Sequence, residues 1–252
     1  MSLLLLGGTA DAKFLARELH RQGISVIYSI AGLVRQPQLD CRVQSGGFSR
    51  LGGLGKFIED ESVDAILDAT HPYAQRMSEQ AVAVARQYAI PIWRYQRPPW
   101  QAQSGDVWHE FSDWQSLAPL LQTFRSVFFS AGQLLPEFVE QLGSQVGNGE
   151  QRHLLRTAIS PDFDLPESII WVEGIGPFDI DSERALFDRY AIDALVTKNS
   201  GGSATGAKLG VAQERGLPVF VLQRPSLAAA DREFAELGSC LSFVAERAGA
   251  TV

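Results

Sequence analysis

The stretch LLLLGGTADAKFLA, Leu3–Ala16, decides the fold. Four consecutive leucines are too few for a buried helix and have no polar alternation, so they read as a strand covered on both faces. Gly7, Gly8 and Thr9 turn the chain. Ala12, Leu15, Ala16 and Leu19 then share one face of a helix, which Gly23 ends as a C-terminal cap. Strand, glycine turn and helix make up the opening unit of a mainly parallel α/β sheet.

Working outward, the same alternation continues. ISVIYSIAG is a second strand and VDAILDAT a later one, followed by a helix that gathers Met77, Ala81, Val84, Ala85 and Tyr88 on one face. IPIWRYQRPP is a strand that Pro98-Pro99 stops. DVWHEF reads as an edge or linking strand, and SVFFSAG, RHLLRTAI and SIIWVEG as further strands. DSERALFDRY starts a helix with acids in its first turn, where they suit the helix dipole. IDALVTKNSGG and LPVFVLQRP are strands flanking a helix around 207–215.

Two segments echo each other. VDAILDATHPYA…IPIWRYQRPP in the first half parallels IDALVTKNSGGS…LPVFVLQRPS in the second, with Asp64 matching Asp193, Pro91 matching Pro218, and Arg97-Pro98 matching Arg224-Pro225. This repetition predicts two similar α/β lobes, 1–100 and 101–252, with the last helix free to pack back on the first. Boundaries are expected near 98–105 and, secondarily, in the acidic loop 161–167. Ligands of such sheets bind beyond the carboxyl ends of the strands.

Bulk properties narrow the function classes. The chain has 252 residues, 45% of them hydrophobic and 20% charged, enough for a sizeable core. Its net charge is −7 and it shows no basic stripe, which argues against nucleic acid as a partner. The start lacks the basic region of a signal peptide, and no apolar run reaches the roughly 20 residues of a membrane span, so a cytoplasmic protein without membrane contact is expected. Cys41 and Cys240 have no partners at metal-ligand spacing, so neither a metal site nor a disulfide framework is expected. No G-x-S-x-G elbow, H-E-x-x-H helix or Walker loop occurs.

The strand tips carry the candidate site. Gly7, Gly8, Thr9 and Ala10 lie where backbone amides and a helix N-terminus accept a phosphate, although the spacing departs from G-x-G-x-x-G. A structural tight turn is the plainer alternative. After the second strand, Gly32 and Arg35 stand where a dinucleotide's ribose is contacted. Arginine without a nearby acid points to NADPH rather than NADH, against the alternative of a solvated loop arginine. Thr70, His71, Pro72 and Tyr73 end the VDAILDAT strand. Pro72 suits the first position of the next helix, with Thr70 or His71 as its cap. His71 and Tyr73 otherwise suit ligand binding or proton donation. Lys198, Asn199, Ser200 and Gly201 form the matching tip, where an anion site competes with a capped helix start and an exposed lysine. Lys208 reads as solvated, and His20, His109 and His153 as surface or satisfied histidines.

Together LLLGGTADA, SIAG, SGGF, DAILDATHPYA, RPPW, GPFDIDSERALF, LVTKNSGG and LPVFVLQRP resemble the precorrin-6A reductase family of cobalamin biosynthesis, in order and over nearly the whole chain. The resemblance implies two Rossmann-like lobes with a reduced nicotinamide cofactor and a tetrapyrrole meeting in the cleft between them. It also implies reduction of one double bond of precorrin-6A to give precorrin-6B. Thr70 and the glycine turn would then serve the cofactor, and His71, Tyr73, Lys198, Asn199, Ser200 and Gly201 the substrate. Two positions depart from the family pattern. Leu33 stands where relatives place an arginine after the AG of the second strand, and Ala131-Gly132-Gln133 replaces a Thr-Gly-Arg-like turn. No side chain stands out as a proton donor, leaving solvent to that role. Two rivals stay open: the cobalt-loaded macrocycle as substrate, and a two-lobed nucleotide or small-molecule sensor without catalysis.

Overall fold

The computed structural model describes residues 1–31, 37–144 and 151–249. Two compact units emerge, one formed by 1–98 with 225–252 and the other by 99–224.

The first unit runs β1 (Ser2–Leu6), α1 (Ala10–Arg21), β2 (Ser25–Ile30), β3 (Arg42–Ser45), α2 (Leu54–Asp60), β4 (Ala65–Asp68), α3 (Gln75–Gln87) and β5 (Ile92–Tyr95). The second runs β6 (Val107–Phe111), α4 (Trp114–Leu117), β7 (Val127–Ser130), α5 (Pro136–Ser144), β8 (His153–Thr157), β9 (Ile169–Glu173), α6 (Ile180–Arg189), β10 (Ala194–Lys198), α7 (Ala207–Glu214) and β11 (Pro218–Leu222). β12 (Arg232–Phe234) and α8 (Leu237–Arg247) then return to the first unit.

Each unit is a six-stranded sheet whose strands pair in parallel, in the orders β12-β5-β4-β1-β2-β3 and β6-β11-β10-β7-β8-β9. This is the doubly wound α/β, Rossmann-like class. The last helix, left free to pack back, does so: α8 packs Cys240, Val244 and Ala245 in one core with Leu15 and Leu19 of α1, but the return begins earlier than the helix, since 225–252 belong to the first unit and β12 adds to the open edge of β5. The acidic loop 161–167 is no boundary; it joins β8 to β9 inside the second unit.

β1 explains why four leucines must stand together. Leu3 and Leu5 point into the core shared with α1 and α8, while Leu4 and Leu6 point into the core shared with α2 and α3. All four are at most 2% exposed. At roughly 1.5–3 kcal/mol per buried leucine, this strand is a major source of the unit's stability.

The internal repeat has a structural counterpart. Asp64 accepts a hydrogen bond from the Ser2 amide at 2.7 Å, tying the start of β4 to β1. Asp193 does the same between β10 and β7, accepting from Ser126 at 2.9 Å and Arg125 at 2.7 Å. β1/β4 and β7/β10 are the pairs at which each sheet reverses its winding direction, and the crevice beyond their carboxyl ends is the expected ligand position.

Candidate functional site

In the first unit, the carboxyl ends of β1, β2 and β4 border a cavity of 610 Å³. Gly7 and Gly8 line it from the β1 turn, Ser29, Ile30 and Ala31 from β2, and Gly46, Gly47, Phe48, Ser49 and Gly53 from the segment after β3. Thr70, His71 and Ala74 line it from the β4 tip, and Arg76, Met77 and Gln80 from α3. Of the residues singled out in the sequence, Gly7, Gly8, Thr70 and His71 are thus brought together; Thr9, Ala10 and Tyr73 do not line the cavity. Gly32 and Arg35 lie outside the described residues.

The β1 turn is shaped by Tyr28. A Cβ on Gly7 would sit 2.3 Å from the Tyr28 ring, so this position has room only for glycine. The Gly8 amide donates to the Tyr28 hydroxyl at 2.9 Å, and its φ of +115° suits glycine alone. Burial raises the Tyr28 phenol above its usual pKa, partly opposed by that hydrogen bond. The Thr9 hydroxyl is spent locally: it accepts from Ala12 N at 3.0 Å as the cap of α1 and donates to Ala69 O at 3.2 Å. A phosphate-binding role for this hydroxyl therefore gives way to a capping one.

The β4 tip is held from below. Asp68, 1% exposed, accepts from the Thr70 hydroxyl at 2.7 Å and from its amide at 3.2 Å, and pairs with buried Arg94 at 3.1 Å. The Asp68 carboxylate organises Thr70, which replaces the expected helix cap. α3 begins at Gln75 with Ala74 as cap, three residues beyond Pro72, so Pro72 is in a turn and not at the first helical position. His71 is half-buried, with Nδ1 3.4 Å from the Tyr73 amide and the two rings 5.7 Å apart.

In the second unit the β10 tip divides its residues by role. The Lys198 side chain is half-buried, its pKa lowered by burial, and its Nζ lies close to Gly132 of the β7 turn, 3.6 Å from where a Cβ would be. Asn199 is committed elsewhere: its Oδ1 accepts from Trp100 N at 2.7 Å and its Nδ2 donates to Trp100 O at 3.0 Å. Its own carbonyl accepts from Arg224 Nε at 2.8 Å. The Asn199 amide thus clamps the main chain of Trp100. Ser200 donates its amide to the Lys198 carbonyl at 2.9 Å, and Gly201 has a φ of +72°.

Lys208, read from the sequence as solvated, is instead buried. It is 2% exposed, donates to Thr205 O, and lies 5.2 Å from the centre of the Trp100 ring. Burial pushes its pKa down to about 7, with Glu183 opposing and Arg156 reinforcing. Arg156 pairs with Glu183 at 2.7 Å and stacks on Phe178, which accounts for Phe178 and Glu183 within GPFDIDSERALF. The signal was present in the spacing, since Lys208, Val211 and Ala212 share a helix face. Among the described residues no cluster suits a metal ion. No described helix is long and apolar enough to cross a membrane.

Similarity to known proteins agrees with this architecture. A family described as precorrin-6x reductase CbiJ/CobK matches residues 2–245. The precorrin-6A reductase of Rhodococcus erythropolis is 34% identical over 245 residues, covering 96% of each chain. That of Rhodobacter capsulatus is 35% identical over 234 residues, covering 91% of this chain and 90% of its own. A solved structure described as CobK precorrin-6A reductase superposes with a TM-score of 0.86 at 34% identity, covering all of this chain and 98% of its own. With fold, strand-tip motifs and sequence in agreement over nearly its full length, the chain belongs to the precorrin-6x reductase family.

Proposed function

We propose that this chain reduces one double bond of precorrin-6A, giving precorrin-6B, with NADPH as hydride donor. Family membership makes it an oxidoreductase of cobalamin biosynthesis. The observation that carries the cofactor reading is the cavity beyond β1, β2 and β4. Five glycines border it and no carboxylate does so among the described lining residues, so a phosphate-bearing ligand can approach the main chain without a side-chain wall or charge repulsion. The nicotinamide, when bound, supplies the hydride. The protein's part is to shape and orient. Tyr28 and Gly7 set the turn, Asp68 and Arg94 hold the Thr70–His71 tip, and His71 brings an imidazole to the cavity wall. Gly32 and Arg35 remain the proposed ribose and 2′-phosphate contacts after β2.

For the macrocycle, Lys198 supplies a cation at the β7/β10 switch point, with Ser200 and Gly201 beside it. Substrate carboxylates are its natural partners. His71 and Tyr73 are the proposed substrate contacts of the first unit. Cytoplasmic placement is part of the same reading and suits two buried free thiols, Cys41 and Cys240.

The deciding experiment is anaerobic incubation with NADPH and either precorrin-6A or its cobalt complex, following the absorbance of nicotinamide and macrocycle together. Oxidation of NADPH matched by loss of precorrin-6A is the expected result. Turnover of only the cobalt complex would reassign the substrate, and binding without turnover would favour a sensor.

A further inference from the structure

We infer that Arg76 is the cation that holds a phosphate group of the nicotinamide cofactor in the first unit's cavity, an inference resting on the cofactor reading above. Arg76 lies in the first turn of α3 and lines the cavity with Met77 and Gln80 of the same helix. It is the sole lysine or arginine among the described lining residues, and no aspartate or glutamate lies with it.

An exposed helical arginine can pair with a carboxylate one turn away. Here the acid three positions on, Glu79, accepts instead from Gln75 at 2.7 Å. Among the described residues Arg76 enters no ion pair. Its charge is therefore not neutralised by a neighbour, in a protein whose overall charge is −7.

The other polar groups of the cavity suit the same ligand. Ser29 and Ser49 bring hydroxyls and Gly47 brings a main-chain amide, whereas the Gly46 and Gly53 amides already donate to Ile30 O and Phe48 O and leave only an open, side-chain-free wall. Such neutral donors orient phosphate oxygens but supply no full positive charge. A guanidinium adds that charge in a planar, two-pronged form that matches two phosphate oxygens at once. In the sequence Arg76 looks like any solvated helix residue, because only the fold turns it toward the glycine-lined wall.

The test is calorimetric titration of the full chain, its Arg76→Gln variant and its Arg76→Lys variant with NADP+ and NAD+, with circular dichroism to confirm folding. Arg76→Gln should weaken NADP+ by about tenfold or more, as expected for loss of a charge-assisted contact, and Arg76→Lys should recover part of it. Loss confined to NADP+ assigns the 2′-phosphate, and equal loss for both nucleotides assigns the pyrophosphate; either outcome supports the inference. Unchanged NADP+ affinity in folded Arg76→Gln overturns it while leaving the cofactor reading intact. Should the unaltered chain bind neither nucleotide, the cofactor reading falls and the inference with it.

Discussion

Asn199 and Lys198 are neighbours at one strand tip with opposite physical positions. Both ends of the Asn199 amide are bonded to the main chain of Trp100. Asn199→Ala strands a buried donor and acceptor, so a stability loss of about 1–3 kcal/mol is expected in denaturant titration. Lys198→Ala instead removes a half-buried ammonium that desolvation already disfavours. It should leave the unfolding midpoint nearly unchanged and raise KM for the macrocycle. Unaltered KM would remove Lys198 from the substrate site. Lys208 adds a pH signature. Its folded pKa of about 7 lies below the ordinary 10.5, so between those values the unfolded chain holds a proton that the native state does not. Stability should therefore climb as pH rises through that window. Lys208→Met should flatten the climb, and an identical slope in the variant would mean that the buried amine is not its source. Residue type suggested where these side chains sit along the chain, but not what they touch. Trp100 comes from far outside β10 and α7, and its approach is a product of tertiary packing, whereas Thr205 lies only three residues before Lys208.

At the scale of elements, the strands with an unbroken apolar run were legible in the sequence, and so were the amphipathic helices α1 and α3. β1, β4, β7, β10 and β11 announce themselves because strands buried on both faces are dominated by apolar residues, the polar ones in β4, β7 and β10 standing at the carboxyl ends. β3, α2, α5 and β12 went unassigned for physical reasons. β3 is an edge strand of four mostly polar, part-buried residues, and β12 is a three-residue edge strand. α2 is seven residues long with Gly52 and Gly53 before it and Gly55 within it, too short for its periodicity to stand out. The glycine turn after β1 was legible as a turn, but its partner was not, because Tyr28 belongs to the next strand. Gly7→Ala pushes a methyl group into the Tyr28 ring, which is 1% exposed and closely surrounded. Overpacking of this kind costs about 1–3 kcal/mol. The substitution should lower both thermal stability and nucleotide affinity, because the displaced phenol no longer meets the Gly8 amide. Tyr28→Leu in the same chain should recover part of the stability loss, giving a coupling energy in a double-mutant cycle. Strictly additive effects would show that ring and turn do not communicate.

For the whole molecule, the internal repeat conveyed that there are two similar units but not that the chain re-enters the first at 225. The Arg97-Pro98 and Arg224-Pro225 pairs that mark the echo also mark both crossings, since the second unit spans 99–224. Nothing in a linear comparison of the halves requires the tail to return. Its destination depends on an open β5 edge and an uncovered α1 face, which exist only after the first sheet has formed. β12 closes that edge, with Arg232, Glu233 and Phe234 in register with Trp93, Arg94 and Tyr95. Glu233 also meets Arg94 at 2.8 Å, linking the tail to the buried Asp68 pair beneath the Thr70–His71 tip. Deleting 232–252 should therefore act on one unit only. Hydrogen exchange should accelerate in β5, α1 and β4, whose edge, helix cover and buried ion pair depend on the tail, while β7 and β10 keep their protection. Nucleotide affinity should fall as well, because Asp68 would be left with an Arg94 newly open to water and a less firmly held Thr70. Equal loss of protection in both sheets would show that the chain unfolds as one cooperative body. Unchanged exchange in β5 and α1 would show that the tail is an appendage and not a structural member of the first unit.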